Sequence, residues 1–191
     1  MDKGWFHIFF KSIIPLLHSN YYHAKSKCQF TIKWVIGMTD PKILVIDDDK
    51  SIRKIFRINL EEEGYIIDLA ESGEEALRKV ENQRYNLALI DIKLGDMEGT
   101  DLLESFQEKA PQMKKIIVTG FPSLQNAIQA LNRGADAYIL KPVKIDQLLE
   151  IIEEQLRKQQ EEKEFSEEKM SRFIEDRVNE LETIKEYYKP I

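Results

Sequence analysis

The chain has 191 residues, 42% of them apolar and 32% charged, which is enough for one well-buried domain with extensions and too little for two of full size. Its single cysteine, Cys28, excludes an internal disulfide framework and fits a reducing compartment, so a cytoplasmic protein is expected. The formal charge of −6 argues against nucleic acid and against acidic surfaces as partners.

Residues 1–38 read unlike the rest. They carry Lys3, Lys11, Lys25, Lys27 and Lys33 against Asp2 alone, a balance of +4 that leaves −10 for the remainder, and they hold all three histidines and both tryptophans. The apolar run Trp5 to Leu17 is interrupted by His7, Lys11 and Pro15 and falls short of the ~20 residues that span a bilayer. No membrane association is expected. Met38 leads directly into the first strand and is the expected natural start, with residues 1–38 an extension outside the fold.

From Lys42 onward, apolar and amphipathic runs alternate. Lys42–Ile46 is a buried-strand run, and Ser51–Glu63 has helical spacing, with Ser51 placed to cap it and Gly64 to close it. Tyr65–Ala70 is a second strand, followed by a helix over Ser72–Val80 with a capping box at Ser72 and Glu75. Asn86–Ile90 is a third strand ending at Asp91, and Thr100–Lys109 a helix stopped by Pro111. Lys115–Thr119, a helix over Ser123–Arg133, Ala137–Leu140 and a last helix after Lys141-Pro142 complete the series. Strands alternating with helices imply a doubly wound α/β fold with a five-stranded parallel sheet, because parallel strands need crossovers.

Ligands in such sheets bind at the carboxyl ends of the strands. Those ends read Asp47-Asp48-Asp49, Asp91, Thr119-Gly120 and Lys141-Pro142, so four strand ends bring carboxylates, a hydroxyl and an ammonium to one edge. Clustered carboxylates share protons or hold a cation, and an all-oxygen set suits Mg²⁺. A carboxylate can also be the nucleophile of phosphoryl transfer, with Lys141 the candidate to offset the phosphoryl charge.

Residues 42 to about 156 resemble the receiver domain of two-component response regulators. The resemblance rests on LVIDDD at the first strand, LALIDIKLGDMEG at the third, IIVTGFPS at the fourth and GADAYILKPV at the fifth, with Asp48, Asp91, Thr119 and Lys141 separated by 43, 28 and 22 residues. It implies a flavodoxin-like strand order of 2-1-3-4-5 and a receiver domain over residues 39–156. It further implies that Asp91 is the phosphoacceptor and that Asp48, Asp47, Asp91 and the backbone carbonyl of Lys93 hold Mg²⁺. Lys141 and Thr119 would stabilise the phosphoryl group, Thr119 and Tyr138 would form the switch, and Pro142 would follow a cis peptide bond. Asp49 is read as loop, and Gly120 as the small residue that an incoming phosphoryl group requires. Gly95 stands where the family commonly has proline, which implies a looser loop from Lys93 to Gly99, and Lys93 and Phe121 flank the site.

By the same resemblance the partner is a sensor histidine kinase or a phosphotransfer protein. Two other readings stay open on the residues alone. Asp47 and Asp49 also fit the nucleophile and proton donor of haloacid dehalogenase-like phosphatases, although Lys50 replaces the usual Thr or Val and no cap insertion is visible. The third reading is a non-phosphorylated adaptor dimerising through its C-terminal helix.

That helix begins at Ile145, and from there to Ile191 there is no Gly and the one Pro is Pro190; a continuous helix of these 47 residues would reach about 70 Å at ~1.5 Å per residue. Ile145, Leu148, Leu149, Ile152 and Leu156 should pack on the sheet, and the polar stretch from Arg157 should leave the domain. Residues 157–191 are therefore expected to form a helical tail. Met170, Ile174, Leu181, Ile184 and Tyr188 follow an imperfect heptad, with Arg177 inside it, consistent with a coiled-coil dimer. The face formed by the fourth helix, fifth strand and fifth helix is the other expected dimer surface.

Overall fold

The computed structural model describes residues 40–187, and their side chains to residue 181. The expectations for residues 1–38 and the terminal Tyr188 lie outside them. The described elements are β1 (Lys42–Ile46), α1 (Lys50–Glu62), β2 (Ile66–Ala70), α2 (Gly73–Asn82), β3 (Leu87–Ile90), α3 (Gly99–Lys109), β4 (Lys114–Thr119), α4 (Leu124–Asn132), β5 (Ala137–Leu140) and α5 (Ile145–Tyr187). All pairings are parallel, in the order β2-β1-β3-β4-β5 that the resemblance implied.

Alternation along the strands explains why both faces are covered. Leu44 and Ile46 of β1 point to one side, where they join Val80 of α2, Leu103 and Phe106 of α3 and Ala130 of α4. Ile43 and Val45 point to the other, with Phe56 and Leu60 of α1 and Leu148 and Ile152 of α5. Each of these aliphatic or aromatic side chains contributes roughly 1.5–3 kcal/mol by leaving water, so two such layers fix the strand register.

Helix ends follow local chemistry. Ser72 accepts from Glu75 N at 3.2 Å as expected, but the Glu75 carboxylate reaches back to Glu71 N rather than to Ser72 N. Gly64 and Gly134 take positive φ (81° and 88°) just past α1 and α4, a conformation that favours glycine. Asp49, not Ser51, caps α1: its carboxylate accepts from Ser51 N at 2.7 Å and Ile52 N at 3.4 Å. Asp49 is therefore a helix cap rather than plain loop.

At the amino edge of the sheet α5 is clamped by polar contacts. Gln159 Nε2 donates to Asn86 O (2.8 Å) and Gln112 O (2.5 Å), and both Glu162 oxygens accept from Lys114 Nζ at 2.8 and 2.9 Å. The helix thus stays in contact with the domain beyond Arg157, where the sequence suggested it would leave. The departure comes after Glu162 because Lys114, nearly buried, needs the carboxylate. Every described residue from Glu161 to Leu181 is exposed.

Candidate functional site

The carboxyl edge assembles the residues that the strand ends predicted. Asp47, Asp48 and Asp91 each offer a carboxylate oxygen, and these oxygens lie within 4.8 Å of one another. Asp47 and Asp91 are buried, at 3% and 6% exposure, whereas Asp48 is open to solvent. Asp47 Oδ1 accepts from Asp49 N at 2.9 Å, and its Oδ2 lies 2.6 Å from Lys141 Nζ. Asp49 thus meets Asp47 through its backbone N–H while its carboxylate caps α1.

Asp91 Oδ2 accepts from Lys93 N at 3.3 Å. Its Oδ1 sits 3.2 Å from Lys141 Nζ, an ion-pair distance, yet no directed hydrogen bond reaches it among the described residues. Burial pushes the Asp91 carboxyl above its ordinary range; the Lys141 charge opposes this, and the Asp47 charge adds to it. Burial alone would lower the Lys141 ammonium, but Asp47 and Asp91 outweigh it and hold the group above the usual lysine range. The Lys141 ammonium pairs with two carboxylates, Asp47 and Asp91, of a cluster of three. That surplus of oxygens, one of them a buried acceptor lacking a donor, fits a hard divalent cation with open positions for water and phosphate.

Thr119 at the end of β4 is fully buried, and its Oγ1 accepts from Phe121 N at 3.1 Å. Tyr138 of β5 packs against the layer under α3 and α4, with its hydroxyl buried and lacking a partner among the described residues. Lys141-Pro142 is cis, as expected. A Cβ on Gly120 would meet only Lys141 carbons at 3.9 Å, whereas one on Gly99 would collide with the Asp91 carbonyl, so glycine is what lets α3 begin directly behind Asp91.

Two features were not anticipated. Arg53, on α1, is buried, and its Nη1 donates to Asp47 O at 2.5 Å while Nη2 lies 3.5 Å from Glu71 Oε2. It fixes the backbone that carries the acidic pair. The available signal was its inward place on α1, six residues after Asp47. The loop after Asp91 is also tied down, contrary to the looseness read from Gly95. Lys93 and Glu98 form a β-bridge, Lys93 Nζ meets Glu98 at 2.5 Å, and Asp96 accepts from Gly73 N and Glu74 N at 3.0 and 2.9 Å.

This geometry agrees with what comparison with known proteins finds. Residues 43–153 match the model of the response regulator receiver domain. The chain belongs to that family. It is 36% identical over 107 residues to the alginate biosynthesis transcriptional regulatory protein AlgB of Pseudomonas putida, covering 56% of this chain and 24% of AlgB. It is 37% identical over 114 residues to the transcriptional regulatory protein ZraR of Salmonella typhimurium, covering 60% and 26%. The chain thus spans about a quarter of the length of these curated relatives. Among solved structures, a CheY-like receiver domain protein of Methanospirillum hungatei superposes with a TM-score of 0.64 at 51% identity, covering 65% of this chain and 99% of that one. Receiver domains are phosphoacceptor signalling domains of two-component systems, and they generally bind Mg²⁺ at an acidic pocket. No helix among the described residues is long and apolar enough to cross a membrane.

Proposed function

We propose that the chain is a phosphorylation-dependent switch that accepts a phosphoryl group on Asp91 from the phosphohistidine of a sensor kinase or phosphotransfer protein in the cytoplasm. The observation that carries this reading is Asp91 Oδ1, a buried carboxylate oxygen facing Lys141 with no hydrogen bond directed at it. Its lone pair is free to attack phosphorus, forming the O–P bond as the P–N bond to imidazole breaks and the imidazole leaves with the electron pair.

Asp47, Asp48, Asp91 and the Lys93 carbonyl would hold Mg²⁺, which when bound supplies positive charge against the carboxylates and the phosphoryl oxygens. Lys141 stays protonated and pairs with a phosphoryl oxygen. Arg53 keeps the Asp47 backbone in place, and Asp49 anchors the turn to α1. Thr119 gives up its contact with Phe121 N to bond the phosphoryl group, and Tyr138 fills the space behind it. A two-state shift of this kind alters the face formed by α4, β5 and α5 and so changes protein contacts. Homodimerisation through that face or through α5 belongs to the same reading.

Acetyl phosphate with Mg²⁺, followed by intact mass, tests it. The expected result is a single phosphoryl adduct, absent in Asp91→Asn. Steady turnover that depends on Asp47, with no adduct, would overturn it in favour of a phosphatase.

A further inference from the structure

The loop from Asp91 to Gly99 is held in two ways. Its base closes on itself, since Gly99 N donates to Ile92 O at 2.7 Å and Lys93 bridges Glu98. Its tip is held from outside, by α2. Asp96 Oδ1 accepts from Gly73 N at 3.0 Å and Asp96 Oδ2 from Glu74 N at 2.9 Å, so one carboxylate spans the first two N–H groups of that helix, which have no partner within it. Met97 lies over Gly73, where a Cβ would sit 2.3 Å from the Met97 sulfur, so any larger residue there would push the tip away. Between these anchors the chain does little to stiffen itself. A Cβ on Gly95 would meet nothing within 4 Å, and glycine has the widest choice of backbone conformations.

The tip matters because Lys93 lies three residues before Asp96 and donates its N–H to Asp91 Oδ2 at 3.3 Å. A side-chain ligand can turn to meet an ion, whereas a backbone carbonyl goes where its loop puts it. We infer, on the proposed reading of the site as a Mg²⁺ centre, that Asp96 is a positioning residue: by docking the tip on α2 it fixes the Lys93 carbonyl for the cation. The start of α2 thereby becomes part of the frame around the acidic site. It meets the other backbone support as well, since Glu71 Oε2 lies 3.5 Å from Nη2 of Arg53, whose Nη1 holds Asp47 O. Two caps on one helix separate this role from plain helix stabilisation. Ser72 Oγ accepts from Glu75 N at 3.2 Å within the first turn of α2 itself, whereas Asp96 reaches α2 from another loop. Removing either should weaken α2, and only removing Asp96 should release the tip.

Titration calorimetry of Mg²⁺ into the full chain, with amide hydrogen exchange of the metal-free chain, tests this. Asp96→Ala should bind Mg²⁺ about tenfold more weakly, the lower range for groups that orient a metal ligand. Its amides from Leu94 to Met97 should exchange faster while those of β1 and β3 keep their protection. Asp96→Asn, which keeps one acceptor oxygen, should fall between Asp96→Ala and the unaltered chain in both measurements. Ser72→Ala should bind Mg²⁺ as the unaltered chain does. The inference is overturned by an unchanged affinity in Asp96→Ala, by an equal loss in Ser72→Ala, or by tip amides that exchange no faster in Asp96→Ala. Those results leave the phosphoryl reading standing, and it fails separately if the unaltered chain binds Mg²⁺ yet forms no adduct with acetyl phosphate. An unaltered chain that binds no Mg²⁺ overturns both.

Discussion

The two edges of the sheet both bury charge, and they treat it oppositely. At the amino edge Lys114 and Lys115 face Asp136 and Glu162, two of each sign, and both lysine ammonium groups have acceptors, Glu162 for Lys114 and Gln107 for Lys115. At the carboxyl edge Asp47 and Asp91 share Lys141 with Asp48 in the same carboxylate cluster, and a buried oxygen of Asp91 has no directed donor among the described residues. Buried charge that is matched and hydrogen-bonded holds a fold together; buried charge left in surplus is an arrangement completed by something that binds. The amino edge keeps α5 in place, and the carboxyl edge is where the proposed cation and phosphoryl group would bind.

The sharpest way to break this contrast is Asp91→Asn, which should abolish the phosphoryl adduct in intact mass, while Lys114→Met at the opposite edge should still form it. Loss of the adduct in both would mean that the edges are not functionally separate. Next comes Arg53→Met. Removing the guanidinium that holds the Asp47 carbonyl should weaken Mg²⁺ binding by about tenfold, the lower range for groups that orient metal ligands. Titration calorimetry measures it, and an affinity equal to that of the unaltered chain would remove Arg53 from the site.

Lys114→Met should cost about 1–2 kcal/mol in urea unfolding, less than breaking a fully buried pair because the Glu162 side chain is 66% exposed. The pH dependence has a definite sign. Burial lowers the Lys114 ammonium, but the Glu162 hydrogen bond and the Asp136 charge outweigh it and raise the group above 10.5. Its contribution is therefore complete below the free-lysine value and is lost as pH rises through the higher folded value. Lys114→Met should flatten that alkaline loss. The smallest effect belongs to Asp49→Ala, where losing the α1 cap should cost about 1 kcal/mol and leave adduct formation intact. A loss of adduct there would show that Asp49 does more than hold the turn.

Strand and helix placement was legible in the sequence because both sides of the sheet bury apolar runs and the connections carry caps and glycines. Four strand-end motifs were enough to name Asp47, Asp48, Asp91, Thr119 and Lys141, since a parallel sheet brings its carboxyl ends together. The division of labour within Asp47-Asp48-Asp49 was only partly legible. Three identical side chains in a row differ in where the backbone aims them, and the turn into α1 sends Asp49 to its own helix. The Gln159–Glu162 clamp was missed because its partners are carbonyls and a side chain far away in the chain, which no local periodicity records, and Arg53 because its partner, six residues earlier, is a backbone carbonyl that side-chain patterns do not register. Gly95 misled, because the loop is held by Glu98 and Asp96 rather than by the stiffness of a proline.

The unbroken run of α5 from the sheet to Tyr187 makes it a lever with its pivot at Lys114 and Glu162. With about 37 Å beyond the pivot, a tilt of about 5° at the domain moves the far tip by about 3 Å, more than half the rise of a helical turn. A small rearrangement of packing between α5 and β4 thus arrives amplified at a distance where no atom of the acid site reaches.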